Sequence, residues 1–213
     1  MELLLAFKKN YSEALKTLSS EVSEELVEVA FAELTVLYSD SSRAYHNINH
    51  IKDCFANLAQ FSRENNISDS QFAILTLAIW YHDSIYDTKS ATNEEASVKF
   101  FTKHSKLLKL KPKAVKEIST LILETKTHDS STPNSELFLD IDLSILGASS
   151  ADFNDYERNI RKEYSWVPEK DFARERKKLM NRLAKRKRIF KTEFFHSKLE
   201  KQAKRNLIAY LKK

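Results

Sequence analysis

Phe72-Ala73-Ile74-Leu75-Thr76-Leu77-Ala78-Ile79-Trp80-Tyr81-His82-Asp83 is the stretch on which the fold turns. Ten residues, apolar almost all round, run straight into a histidine and an aspartate. A helix with no polar face has to be surrounded by other elements, so this one is expected at the centre of the molecule. Ser68 and Gln71 ahead of it have the spacing of a capping box, in which hydroxyl and amide satisfy free N–H groups of the first turn. The wider chain agrees with a helical reading, because its 213 residues include a single glycine. Glycine-rich phosphate loops of the Walker and dinucleotide types need at least two, and tight hairpins also draw on glycine. Those classes are excluded, sandwiches and barrels are disfavoured, and an all-α protein is expected.

Working outward, apolar residues recur at helical spacing in Leu15, Leu18, Val22, Leu26 and Val29, then Leu34 and Leu37, which predicts one or two helices over about 12–38. Ser39-Asp40-Ser41-Ser42 interrupts, and Ile51, Phe55, Leu58 and Phe61 mark the next helix. Thr92 and Glu95 suggest a further capping box, and Pro112 suits a first helical position. Residues 126–134 read as a loop before the apolar run Leu137–Leu146, and Gly147 is expected as a left-handed helix end. Three more helices are expected at about 151–165, 168–190 and 193–212. Phe100, Phe101, Phe153, Phe172, Phe190, Phe194 and Phe195 read as core. No repeat or linker divides the chain, so one compact domain over 1–213 is expected.

Charge is unevenly spread. Residues 174–213 hold 16 Lys and Arg against 3 acidic residues, while the first 173 carry a net −8. The strip Arg182, Lys185, Arg186, Lys187 and Arg188 reads either as the wet face of the last helices or as a contact for a phosphate-rich partner, nucleic acid included. Cys54 is the one cysteine, which leaves no internal disulfide and no cysteine-built metal site to expect. The apolar N-terminus meets Lys8-Lys9 too early for a signal peptide, and no run approaches the ~20 apolar residues of a membrane span. A cytoplasmic protein without a membrane partner is the expectation.

Polar residues in apolar surroundings point to chemistry. His82-Asp83 ends the most apolar helix, and Asp140 and Asp142 interrupt Phe138-Leu139-Ile141-Leu143-Ile145-Leu146. A buried carboxylate is costly to desolvate unless a cation or several hydrogen bonds compensate it, and a divalent ion compensates two. His50, near the start of its own apolar stretch, offers an imidazole.

Tyr45-His46-Asn47-Ile48-Asn49-His50-Ile51, Trp80-Tyr81-His82-Asp83-Ser84-Ile85-Tyr86, Asn93-Glu94-Glu95, Thr125-Lys126-Thr127-His128 and Asp140-Ile141-Asp142-Leu143-Ser144-Ile145-Leu146-Gly147 together resemble the HD-domain metal-dependent phosphohydrolase superfamily, specifically a poorly characterised bacterial group of predicted phosphohydrolases. The likeness extends through Ile160-Arg161-Lys162-Glu163-Tyr164, Arg176, Ile189–Thr192 and Glu200–Leu207, nearly the whole chain. The resemblance implies an HD-type helical domain with extra C-terminal helices. It makes His50, His82, Asp83 and Asp142 the ligands of one divalent metal, with Asp142 preferred to Asp140. Two imidazoles and two carboxylates suit Mn, Fe, Co, Ni or Zn better than Mg. Such an ion acidifies water and neutralises phosphoryl oxygens, which fits hydrolysis of a phosphoester in a nucleotide or another small phosphorylated metabolite.

Further roles follow partly from the same resemblance and partly from residue type and position. Asp87, Glu94 and Glu95 lie just past the His-Asp pair, where a carboxylate orients water, and Glu94 is favoured because Glu95 has a capping duty. His128 matches a position that contacts substrate or a second metal in some relatives, or is an ordinary loop histidine. Lys126, Arg43, Arg161 and Arg176 are read either as contacts for a substrate anion or as structural ties. His46, four residues before His50, is expected on the same helical face, touching the site or packing beside it. Two other readings stay open. One is the di-iron oxygenase branch of the HD fold, with His128 and Asp87 as added ligands. The other is nucleotide or nucleic-acid binding without turnover.

Overall fold

The structure is a computed structural model that describes residues 2–212, and among these it is all-helical. Ten α-helices follow in order: α1 (Glu2–Leu18), α2 (Glu24–Tyr38), α3 (Ile48–Glu64), α4 (Asp69–Tyr81), α5 (Asn93–Leu107), α6 (Pro112–Glu124), α7 (Pro133–Asp142), α8 (Ser150–Glu163), α9 (Glu169–Lys185) and α10 (Glu193–Leu211). A 3-10 turn, Leu143–Gly147, continues directly from α7.

α4 is the hub. Every residue from Ala73 to Tyr81 is buried, and the helix packs against α1, α3, α5, α6 and α7. Each large side chain buried this way contributes roughly 1.5–3 kcal/mol. Trp80 lies at the middle, with the rings of Phe7, Tyr11, Phe31, Tyr38 and Phe55 around it. The hydroxyls of Tyr11 and Tyr81 are 2.7 Å apart, Tyr81 reaches His104 Nδ1 at 2.9 Å, and His104 Nε2 reaches Glu33 at 2.9 Å, a polar seam tying α1, α4, α5 and α2. The other tryptophan, Trp166, is half exposed in the α8–α9 connection and donates to Thr88 Oγ1 at 2.7 Å.

Helix starts follow ordinary capping chemistry. Ser23, Ser68 and Thr132 accept from the backbone N–H three residues on, and Pro112 and Pro133 occupy first-turn positions where no N–H is needed. The Ser68 box is only half formed, because the Gln71 amide turns to Asn134 instead. Thr92 makes no cap: its hydroxyl pairs with Ser90, and Glu95 is drawn to Lys126. The N-terminal apolar residues belong to α1, so helix begins well before residue 12, and Ser19 closes it by donating to Leu108 O at 2.7 Å.

α9 stops at Lys185, short of the expected residue 190. Arg186 turns into extended backbone, and Glu200 then accepts the N–H groups of Ile189 and Phe190 at 3.0 Å. Asp140 accepts from the N–H of Lys191 and Thr192, both at 2.8 Å, and from the Thr192 hydroxyl at 2.6 Å. Burial lifts the Asp140 carboxyl to about 6 against these hydrogen bonds. Gly147 is not in a left-handed conformation. Its role is close approach, since a Cβ there lies 2.5 Å from Leu199 Cβ on α10.

Candidate metal centre

Four elements bring the His and Asp side chains together. Asn47 caps α3 by accepting from Asn49 N at 2.9 Å, which fixes the first turn and sends His50 inward. His82 closes α4, and its Nδ1 sits 2.9 Å from Ile79 O. Donation to that carbonyl leaves Nε2 of neutral His82 as a lone pair aimed at the centre. Asp83 follows in a turn secured by Ser84, whose hydroxyl donates to Tyr81 O at 2.9 Å. Asp142 is the last residue of α7.

The reactive atoms converge. His50 Nε2 and His82 Nε2 are 3.0 Å apart, His82 Nε2 is 3.1 Å from Asp83 Oδ2, and His50 Nε2 is 3.3 Å from Asp142 Oδ1. The diagonal pairs, His50 to Asp83 and His82 to Asp142, are 3.8 and 3.6 Å. Ligands with ~2.1 Å bonds to a common ion stand about 3.0 Å apart in octahedral and about 3.4 Å apart in tetrahedral geometry. His50, His82 and Asp83 form a group that could hold a metal ion. Cys54, one turn after His50, joins His50 and Asp142 in a second such group, with its Sγ 3.7 Å from His50 Nε2. No cysteine contribution was expected from a lone residue without a CxxC partner. Burial pushes the Cys54 thiol well above its ordinary range, so it stands as a neutral wall of the centre.

The electrostatics show what the centre lacks. Burial alone lowers His82, yet the charge of Asp83 and hydrogen bonds with Asp142 and Asp83 outweigh it and raise the imidazole well above its usual value. Burial alone raises Asp142, and hydrogen bonds from His128, His50 and His82 outweigh that and hold it well below the carboxylate range. Two carboxylates in this setting bind positive charge strongly, and two imidazole nitrogens face each other with little to share but a proton. A divalent cation is the partner such donors suit, and both groups, His50–His82–Asp83 and His50–Cys54–Asp142, could hold a metal ion.

The chain matches no family model, no curated protein and no solved structure. Residue placement therefore carries the functional reading alone.

A cavity of about 350 Å³ opens over the cluster, with His46, Asp83, Tyr86, Glu94, Lys126, His128 and Asp142 in its wall and α9 residues closing one side. His128 Nε2 is 3.1 Å from Asp142 Oδ2. His128 adopts a left-handed backbone, φ 55°, uncommon for a side chain of this size. Arg186 braces that turn by donating to His128 O at 3.0 Å and Thr127 O at 3.1 Å. Glu94 lines the cavity, whereas Glu95 and Lys126 pair with each other at its exposed edge, Lys126 also donating to Ala91 O.

His46 reaches the cavity by a route the sequence hides. α3 begins at Ile48, so His46 precedes the helix and the i−4 argument does not apply. It is fixed by Glu163, whose carboxylate meets His46 Nδ1 at 2.7 Å and accepts from the backbone N–H of Tyr45 and His46. Arg176 lines the cavity too, but its guanidinium is buried against Glu157 and the Tyr156 hydroxyl.

Three expected site residues are elsewhere. Arg43 is buried with its guanidinium on the carbonyls of Asp83 at 2.6 Å and Ser84 at 2.9 Å, so it holds the His-Asp turn from behind. Arg161 clamps the α8–α9 connection through Glu169, Tyr164 O and Val167 O. Asp87 is exposed and accepts from Lys89 N, which removes one ligand of a two-metal arrangement. Asp140 anchors α10 and takes no part in the cluster. Sequence reasoning did not single out Tyr45 and Tyr156 as a wall; their rings meet edge to face at 4.6 Å between this cavity and a second one of about 550 Å³.

Proposed function

We propose that this chain is a metal-dependent phosphohydrolase acting on a phosphoester of a small phosphorylated metabolite, a nucleotide among the candidates. The observation that carries it is that His50 Nε2 and His82 Nε2 lie 3.0 Å apart and each 3.1–3.8 Å from carboxylate oxygens of both Asp83 and Asp142, the two carboxylates standing in the wall of an open cavity. A divalent cation held by those four residues would supply Lewis acidity toward a phosphoryl oxygen and acidify water beside it.

The remaining steps belong to the chain. His82, oriented by Ile79 O, would offer its Nε2 lone pair to that cation in place of a proton, and Arg43 fixes the backbone that carries Asp83. His128, hydrogen-bonded to Asp142, would exchange a proton with the leaving oxygen, and Glu94 in the cavity wall would take a proton from attacking water. His46, tied at Nδ1 to Glu163, retains Nε2 for a phosphoryl oxygen.

The test combines elemental analysis with phosphate release from nucleotides and sugar phosphates. Stoichiometric transition metal and turnover abolished by chelation are expected, with His82→Ala, Asp83→Ala and Asp142→Ala losing metal and activity together. Turnover that survives chelation removes the proposal.

A further inference from the structure

We propose that the cavity selects ligands with two anionic groups, and that Arg182 on α9 is the residue that recognises the second. The inference rests on the phosphohydrolase reading for the first anion only, the phosphoester at the His-Asp cluster.

Leu179, Arg182, Leu183 and Arg186 follow helical spacing and line one wall of the cavity. Its cationic side chains differ in how far they are already engaged. Lys126 is held by Glu95 and Ala91 O, with Glu94 at 3.9 Å. Arg176 is neutralised by Glu157, and Arg186 is spent on the carbonyls of Thr127 and His128, with the Asp129 carboxylate at 3.4 Å. Arg182 has no hydrogen bond or ion pair among the described residues. Arg182 is an exposed guanidinium in the wall of the cavity that also contains Asp83, His128 and Asp142, and its planar fork suits phosphate or carboxylate.

The neighbouring cavity supports the choice of side. It shares Asp142 with this cavity and also holds His50 and Cys54, but beyond the cluster it presents Asp53, Asp152 and Asp155 and no Lys or Arg, so a second anion is disfavoured there and favoured on the α9 side. A volume of about 350 Å³ is at the small end for ligand pockets, fitting a metabolite. The substrate class is therefore a small phosphoester with a second phosphate or a carboxylate at its far end.

The experiment measures binding of three probes to the full, manganese-loaded chain by calorimetry: a hexose 1,6-bisphosphate, 6-phosphogluconate and a hexose 6-phosphate. Both two-anion probes are expected to bind about 10–100-fold more tightly than the monophosphate, as a charge-assisted contact provides. Preference for the bisphosphate alone assigns phosphate to Arg182, and preference for 6-phosphogluconate alone assigns carboxylate. Arg182→Ala should erase the preference and raise KM for the preferred probe more than it lowers kcat, and Arg182→Lys should restore part of it. Equal affinities for all three probes, or a preference that persists in Arg182→Ala, overturns the inference. An Arg182-dependent preference without phosphate release from any probe leaves this inference standing and removes the hydrolase reading. Release from all three with no dependence on Arg182 does the reverse.

Discussion

Replacing Gly147 with alanine puts a methyl carbon 2.5 Å from Leu199 Cβ, 3.0 Å from Leu199 O and 3.2 Å from Leu199 Cα. Non-bonded carbons settle at about 3.5–4.0 Å, so the 3-10 turn and α10 must part by about 1 Å. All three neighbours are backbone atoms or the Cβ fixed to them, so no rotamer change relieves the contact. Overpacking of this kind costs about 1–3 kcal/mol, and the upper half of that range is expected because a whole helix has to shift. For a chain of this size each kcal/mol lowers Tm by about 2–4 °C. Thermal and urea unfolding followed by far-ultraviolet circular dichroism measure both quantities. Gly147→Asn distinguishes close approach from a left-handed cap: asparagine tolerates the cap conformation, but here its larger side chain costs more than alanine. An alanine variant as stable as the parent, or an asparagine variant more stable than the alanine one, refutes the reasoning. Since the turn starts where Asp142 ends, weaker metal binding is expected alongside the lost stability.

Asp140→Ala strands the N–H groups of Lys191 and Thr192, and a loss of about 2–4 kcal/mol in guanidinium unfolding is expected, with metal content of the folded fraction retained. Asp142→Ala should do the opposite, keeping the fold and losing metal. Glu163 is driven up by burial, but the His46 imidazole and the N–H groups of Tyr45 and His46 outweigh this and hold it below the ordinary carboxylate range. Its folded pKa is depressed, so its contribution is complete above the unfolded value near 4.5 and is lost as pH falls through the folded one. Glu163→Gln should therefore be less stable than the parent at pH 7 by about 1–3 kcal/mol and lose less on acidification below about pH 5. Urea midpoints against pH test this, and parallel curves for the two proteins would count against it.

The legible parts of the fold were those set by local pattern. The nearly unbroken apolarity of Phe72–Tyr81 could only be a central helix, and the His-Asp pair at its end had to enter apolar surroundings, where His82 is buried and Asp83 partly so. Asp142 against Asp140 was chosen by resemblance, and the physical difference appears only in three dimensions, where Asp140 meets backbone N–H groups brought in by α10. Gly147 carried a correct signal with the wrong cause, since a glycine needed for close approach looks the same in sequence as one needed for positive φ. Thr92 had the spacing of a cap, but Lys126, 31 residues beyond Glu95, competed for the carboxylate. Arg43 and Arg161 share the chemistry of phosphate binders, and carbonyl groups that no sequence pattern encodes claimed them first. His128 reads in sequence equally as a site residue or a loop histidine, and the feature that distinguishes it, a left-handed backbone braced by Arg186, depends on a contact across 58 positions.

The two indoles divide the molecule into separate optical reporters. Trp80, sealed among aromatic rings, is expected to emit in the blue and to respond when the centre of the bundle opens. Trp166, half exposed and bonded to Thr88, which in turn reaches Glu163 O, is expected to emit further to the red and to respond to rearrangement around the Glu163 brace of His46. Selective quenching by a soluble agent should thus separate events around the α8–α9 connection from loss of the whole fold, without any introduced label.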